Sequence, residues 1–244
     1  MPESATPPHP SDRPDHVVLV IGGDAPSPFC LNHVAAFEHV ICADSGADHA
    51  RALGLTPDLV LGDMDSISDG SREWATSLHA RFVIADRDKD QTDTELALAA
   101  ITTMRPRALT ILWGGGDRID HVLGVMAAVA APPLRDLDRI DLWVANDLVH
   151  VLHGPRSVEL HTPVGTTVSL VPTAGPATGV TTTGLKWDLN DETLRSDNAR
   201  GVSNVVVGPA RVDVRTGVLA VIVPARALIE SATTVEPRHR KEQP

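Results

Sequence analysis

Tyrosine is absent from the 244-residue chain, and three Phe and four Trp bring the aromatic content to only 3%. A core this poor in rings must be filled by aliphatic side chains, so each ring in a polar stretch stands out. Cysteine is equally scarce. Cys30 and Cys42 are too few for a disulfide framework and lack metal-ligand spacing, which leaves two reduced thiols in a core as the expectation. No apolar run approaches the ~20 residues that cross a bilayer. The opening MPESATPPHPSDRPD lacks the basic-then-apolar order of a signal peptide. Positive charge is in the minority: 21 Lys and Arg against 32 Asp and Glu give a net charge of −11. That balance argues against nucleic acid or an anionic membrane as the main partner. It still permits a phosphate ligand neutralised by a divalent cation. Neither the G-x-x-x-x-G-K-[ST] loop nor the G-x-G-x-x-G fingerprint occurs, which excludes a P-loop kinase or a classical dinucleotide enzyme. A cytoplasmic enzyme or binding protein fits all of these absences.

What the chain does contain is a repeated alternation. The runs HVVLVIGG, HVICAD, DLVLGD, RFVIAD, ALTILWGG and RIDLWVAND are short, Val/Ile/Leu-rich and separated by helical stretches. Runs of this kind suit strands buried on both faces of a parallel, doubly wound sheet. In DTELALAAITTMR, Leu96, Ala99, Ala100 and Met104 recur at helical spacing, with Asp93 and Glu95 in the first turn. Beyond Val149 the pattern changes to β-rich runs broken by Gly, Pro and Thr, with no amphipathic helix of useful length. VDVRTGVLAVIV reads as a hairpin turning at TG. The expected organisation is a flexible tail over 1–15, an α/β nucleotide- and metal-binding domain over 16–149, an all-β sandwich over 150–230 and a second tail over 231–244.

Acidic residues cluster where the expected strands end. Asp44, Asp63 and Asp65, then Asp86, Asp88 and Asp90, and finally Asp117 and Asp120 each follow a β-rich run. In an open parallel sheet all of these fall at the carboxyl edge, where ligands bind. Crowded carboxylates repel one another, and a hard divalent cation bearing a phosphate compound offsets that cost. Helix capping is the duller account of a single aspartate, and Asp44 and Asp93 are open to it. The glycines Gly114, Gly115 and Gly116 precede a helix whose N-terminus suits phosphate, and Arg118 has the planar fork to clamp it. A ligand-free tight turn explains the same glycines.

Together, ADSGADHA, PDLVLGDMDSIS, DKDQTDTELAL, GGGDRIDHVLG, GLKWDL and GVSNVV, in this order, resemble thiamine pyrophosphokinases over almost the whole chain apart from the tails. The resemblance implies a homodimer whose active site lies between the α/β domain of one chain and the β domain of the other. It also implies MgATP as donor, thiamine as acceptor and AMP as leaving product. It places Asp63, Asp65, Asp88, Asp90 and Asp93 at the metal and phosphate site, with Asp44 lining the same pocket. Gln91 and Thr92 fall beside the transferred group, and Gly115, Gly116, Arg118 and Asp120 at the nucleotide; Lys89 is open to two readings, a phosphate contact or a solvated partner of Asp88 and Asp90. Trp187 would lie against the thiamine ring, with Ser203 and Asn204 at its polar edge. The chain departs from the family pattern at Asp117, which stands in the glycine loop, and at Val205, where an acid often follows Ser-Asn.

The expected chemistry is in-line attack of the thiamine hydroxyl on the β-phosphorus of ATP. Catalysis would come from positioning and charge neutralisation by Mg²⁺, Asp63, Asp65, Asp90 and Arg118. Trp187 supplies the flat π surface that a cationic aromatic substrate wants. Three other readings stay open: transfer to another hydroxymethyl heterocycle such as a pterin, a non-catalytic nucleotide or thiamine sensor, and a metal-dependent phosphatase.

Overall fold

The computed structural model of the chain describes residues 13–116 and 118–232. Most of the two expected tails, together with Asp117, lies outside the described residues. Residues 13–15 are tied down: Arg13 donates to the Arg105 carbonyl, and the Pro14 carbonyl accepts from Arg107.

The six β-rich runs form β1 (His16–Val20), β2 (His39–Ala43), β3 (Leu59–Gly62), β4 (Arg81–Ile84), β5 (Ala108–Trp113) and β6 (Arg139–Val144). They pair in parallel in the order β4-β3-β2-β1-β5-β6. The chain moves outward in one direction from β1 through β4 and then returns to place β5 on the other side of β1. That reversal is the topological switch point, where α/β sheets open a crevice. The side chains of β1 show why the sheet is covered on both faces. Val17 and Leu19 pack with α3 (Asp93–Met104) and α4 (Ile119–Val129), whereas Val18 and Val20 pack with α1 (Gly46–Leu53) and α2 (Asp69–Ser77). Strand β4 departs from the expectation of burial on both faces, since as an edge strand it leaves Val83 and Ile84 exposed.

Two local signals fix the helix that matters most. Thr92 caps α3: its hydroxyl accepts from the Glu95 N–H at 3.2 Å, and the Glu95 carboxylate accepts from the Thr92 N–H at 2.8 Å. The buried face of α3 is Ala97, Leu98 and Ile101, with Ala100 and Met104 partly buried, while Ala99 faces solvent. The helix is apolar nearly all round, so spacing alone did not choose between adjacent faces.

The second lobe grows from the same sheet. Strand β7 (Asp147–His153) turns back antiparallel on β6, β13 (Val218–Pro224) pairs with β7, and β9 (Thr167–Pro172) pairs with β13. Position 149 therefore falls inside a strand. A second layer of β8 (Arg156–Leu160), β12 (Asn204–Val214), β10 (Ala177–Leu185) and β11 (Glu192–Leu194) faces it across Leu170, Leu194, Val212, Leu219 and Val221. The expected hairpin at Thr216-Gly217 is not made, because β12 pairs with β8, β10 and β9 while β13 pairs with β7 and β9. The apolar sides of the two strands face each other across the sandwich, and Thr216, bridged to Thr178, marks the corner between layers. The chain then forms α5 (Ala225–Ala232), a helix the β-rich pattern before it concealed.

Candidate functional site

The loops after β2 and β3 and the start of α3 meet at the carboxyl edge of the sheet. Among the described residues, Asp44, Asp63 and Asp93 form a group whose ligand oxygens all lie within 4.8 Å of one another. Each arrives there for a local reason. Asp44 follows β2 in the left-handed region (φ 47°), which aspartate tolerates. It does not cap α1, and its carboxylate instead accepts a short hydrogen bond from the Ser66 hydroxyl. Asp63 follows β3 and accepts from the Asp65 N–H at 3.0 Å, an Asx turn. Asp93 is the first residue of α3, and because Thr92 takes the capping role its carboxylate is left to point at the other two.

The electrostatics of the trio call for a counter-ion. Asp44 is 9% exposed, and its Oδ1 is buried without a hydrogen-bond partner. Burial raises its pKa; the Ser66 hydrogen bond draws it back, and the charges of Asp93, Asp63 and Asp65 push it up again. The Asx-turn N–H holds Asp63 below the usual range, with Lys89 and Arg87 adding to that. Lys89 Nζ lies 3.0 Å from Asp93 Oδ1 as an ion pair, though this oxygen has no partner in hydrogen-bonding geometry. Three hard oxygen donors, two of them carrying a buried oxygen without a hydrogen-bond partner, fit a divalent cation such as Mg²⁺.

The other aspartates of the two acidic runs do not join the trio. Asp65 turns outward to Arg87 at 2.5 Å, and Arg87 also reaches within 3.9 Å of Asp63. Asp88 and Asp90 are exposed, and the Asp88 N–H is held by Asp86. Gln91 is exposed beside them. Ser66 and Arg87 were missed by sequence reasoning. The only signal for either was its place within an acidic run.

Above the switch point a cleft of about 560 Å³ runs from Asp44 and Asp93 past Thr92 to Gly116, Arg118 and Asp120. The loops after β1 and β5 hold each other at its base: Asp24 N–H donates to the Gly115 carbonyl, and Gly114 N–H donates to that of Asp24, both at 3.0 Å. A Cβ on Gly114 would lie 2.3 Å from the Asp24 carbonyl oxygen, so this glycine serves loop packing. Gly115 (φ 92°) is buried, while Gly116 faces open space in the cleft. Arg118 makes a forked contact with Asp120, Nη2 to Oδ2 at 2.5 Å and Nε to Oδ1 at 3.2 Å, and this holds the Asp120 carboxyl below the usual range.

Trp187 sits in the turn after β10 with 56% of its surface exposed, and Lys186 Nζ lies 4.8 Å from its ring centre. Asn204 is buried behind it. Ser203 (φ 61°) is exposed, with its N–H on Ser169 Oγ at 3.0 Å. The described residues lining the acidic cleft all come from the first lobe, so Trp187 does not face the carboxylate trio across this cleft.

A parallel sheet with a carboxylate trio beside the cleft at its switch point, joined to an antiparallel sandwich carrying an exposed ring, is an architecture that suits the binding of a phosphate-bearing ligand. Residues 31–138 match the model of the thiamin pyrophosphokinase catalytic domain, and residues 149–219 that of the thiamin pyrophosphokinase vitamin B1 binding domain. The chain belongs to the thiamine pyrophosphokinase family. It is 28% identical over 194 residues to thiamine pyrophosphokinase 1 of Oryza sativa subsp. japonica, covering 68% of this chain and 71% of that one. With thiamine pyrophosphokinase 1 of Arabidopsis thaliana it shares 28% over 190 residues, 68% and 70% of the two chains. The solved structure of thiamine pyrophosphokinase from Bacillus subtilis superposes with a TM-score of 0.71 at 22% identity, over 86% of this chain and 98% of that one. That from Candida albicans gives 0.70 at 14%, over 86% and 90%. At such identities the structures speak for the fold. No helix among the described residues is long and apolar enough to cross a membrane.

Proposed function

We propose that the protein transfers the diphosphate of ATP to the hydroxyl of thiamine, giving thiamine diphosphate and AMP. The observation that carries this reading is the convergence of Asp44, Asp63 and Asp93 beneath a cleft at the β1/β5 switch point, within a chain matched by both domain models of the family. The vitamin B1 match favours thiamine over a pterin as acceptor.

Mg²⁺ is the cation we assign to the three carboxylates, and when bound it neutralises phosphate oxygens that the acidic edge would otherwise repel. Asp44 brings its orphaned oxygen, Asp63 a carboxyl held below the usual range, and Asp93 a group already aimed by the α3 cap. Lys89 and Arg87 limit the repulsion around the trio, and Asp65 acts by holding Arg87 in place. Arg118 and Asp120 flank the open face of Gly116 at the nucleotide end of the cleft. Asp88, Asp90 and Gln91 are exposed on the segment leading into α3, placed to meet an acceptor from outside. Asp90 is the carboxylate we assign to the hydroxyl proton.

Trp187 is the proposed platform for the thiamine ring. Because the β lobe does not line its own acidic cleft, the ring that completes the site comes from a second copy. Exposed Ile119 and Leu123 beside Arg118, and Val202 and Val207 near Trp187, give apolar surface for such a homodimer. The net charge of −11 fits small-molecule substrates in the cytoplasm rather than nucleic acid or membrane. Incubation with MgATP and thiamine should yield, by mass spectrometry, thiamine heavier by one diphosphate together with equimolar AMP. Release of inorganic phosphate or ADP without a thiamine product would overturn the assignment.

A further inference from the structure

We infer that Asn204 is a positioning residue that presents Trp187 to thiamine through the main chain, without touching the substrate; this rests on the reading of Trp187 as the ring platform. Asn204 opens β12 opposite Val168 and is 3% exposed. Its Oδ1 accepts from the Trp187 N–H at 3.1 Å and from the Val205 N–H at 2.8 Å, and its Nδ2 donates to the Trp187 carbonyl at 2.8 Å. One side-chain amide thus closes on both main-chain groups of Trp187, as a neighbouring strand would. The opposite amide orientation would set the NH₂ against two N–H donors, so the contacts fix which way the group points. At most one amide hydrogen remains uncommitted, and the side chain is too buried to offer it to a ligand.

The turn needs such a clamp because the ring cannot supply one. Trp187 is mostly exposed, so its own packing does not hold the turn in place. The flanking residues are anchored inward instead. Leu185 and Leu189 are buried, Asp188 Oδ1 accepts from the Leu185 N–H at 3.1 Å, and the Leu189 N–H is held by Thr182 Oγ1 at 2.8 Å. The Lys186 N–H donates to the Val205 carbonyl at 2.8 Å, which leaves the main chain of Trp187 itself to Asn204. Fixing the turn before the substrate arrives removes an ordering cost from binding, so the clamp acts on thiamine affinity.

A double-mutant cycle separates action through Trp187 from direct contact. Trp187→Ala keeps the main-chain groups that Asn204 holds, so Asn204→Ala can be compared with and without the ring. Asn204→Ala is expected to weaken thiamine binding about tenfold, while kcat at saturating thiamine and KM for MgATP change less than about twofold. In the Trp187→Ala background the same change should add less than about twofold. Asn204→Asp has nearly the same volume but sets an anionic oxygen against the Trp187 carbonyl, so it should weaken thiamine binding at least as much as alanine. Asn204→Ser, which keeps a small hydrogen-bonding group at the site, should give an intermediate loss and carries the test if the alanine variant does not fold. A full, additive penalty in the Trp187→Ala background would show that Asn204 touches thiamine itself, overturning the clamp while leaving the platform intact. Unchanged thiamine affinity in the Asn204 variants would overturn it too. Unchanged affinity in Trp187→Ala alone would mean that the platform reading is what fails, and the inference with it.

Discussion

The two proposed halves of the site handle polar groups in opposite ways. At the sheet edge, Asp44, Asp63 and Asp93 are pressed together with a buried oxygen unsatisfied and a carboxyl pushed up by burial and by its neighbours. In the β lobe, the Trp187 turn has its main chain fully engaged by Asn204 and its ring free. The first region keeps unsatisfied acceptors even with Lys89 and Arg87 beside it, whereas the second has its main-chain groups paired and its ring exposed. A cation site tolerates local instability because binding the ion offsets it. An aromatic platform gains nothing from instability and works best when already rigid.

Removing charge from the first region should have the largest effect. Asp63→Asn is expected to lower kcat by at least about 100-fold, the size seen when even an outer partner of a bound metal is lost, with far-UV circular dichroism unchanged. An active Asp63→Asn enzyme would mean that the trio is only a crowded loop. In the second region, Trp187→Ala should raise KM for thiamine about tenfold, in line with the loss of roughly 1–2 kcal/mol of cation–π and stacking energy, and leave KM for ATP alone.

A smaller effect probes the unsatisfied state itself. Because the folded-state pKa of Asp44 is raised, its contribution to stability is full below the ordinary carboxylate value and is lost as pH rises through the raised one. Without metal, Asp44→Asn should therefore melt higher than the parent at neutral pH, by about 1 kcal/mol, and equal it in acid. Added Mg²⁺ should reverse the order at neutral pH. Melting curves against pH, with and without the ion, read this directly. The mildest change is Thr92→Ala, which removes the α3 cap at a cost of about 1 kcal/mol in thermal stability. If Thr92 serves mainly as that cap, kcat should fall far less than in Asp63→Asn.

The strands were legible because buried parallel strands are written as continuous aliphatic runs, and all six form, with Asp44 and Asp63 directly after β2 and β3. The face of α3 was not, since Leu96, Ala97, Leu98 and Ala99 are all apolar and it is tertiary contact, with β2, β3 and α4 foremost, that selects among them. The hairpin at Gly217 failed because turn chemistry reports a reversal of direction but not whether the returning strand joins the same sheet. Membership of the acidic cluster was the least legible part. The resemblance puts Asp63 and Asp65 together at the metal and phosphate site. The Asx turn instead spends the N–H of Asp65 on Asp63, and the Asp65 side chain leaves toward Arg87. Asp93 was open to being read as a cap, and one hydroxyl, that of Thr92, took the role and released it.

The central claim is that a divalent cation is gathered by Asp44, Asp63 and Asp93 rather than by the exposed aspartates of the same loops. Titration of Mn²⁺ followed by electron paramagnetic resonance, on the parent and on Asp93→Asn and Asp88→Asn, tests it most directly. The account predicts that binding is lost in Asp93→Asn and kept in Asp88→Asn. Binding that survives in Asp93→Asn and disappears in Asp88→Asn would contradict it.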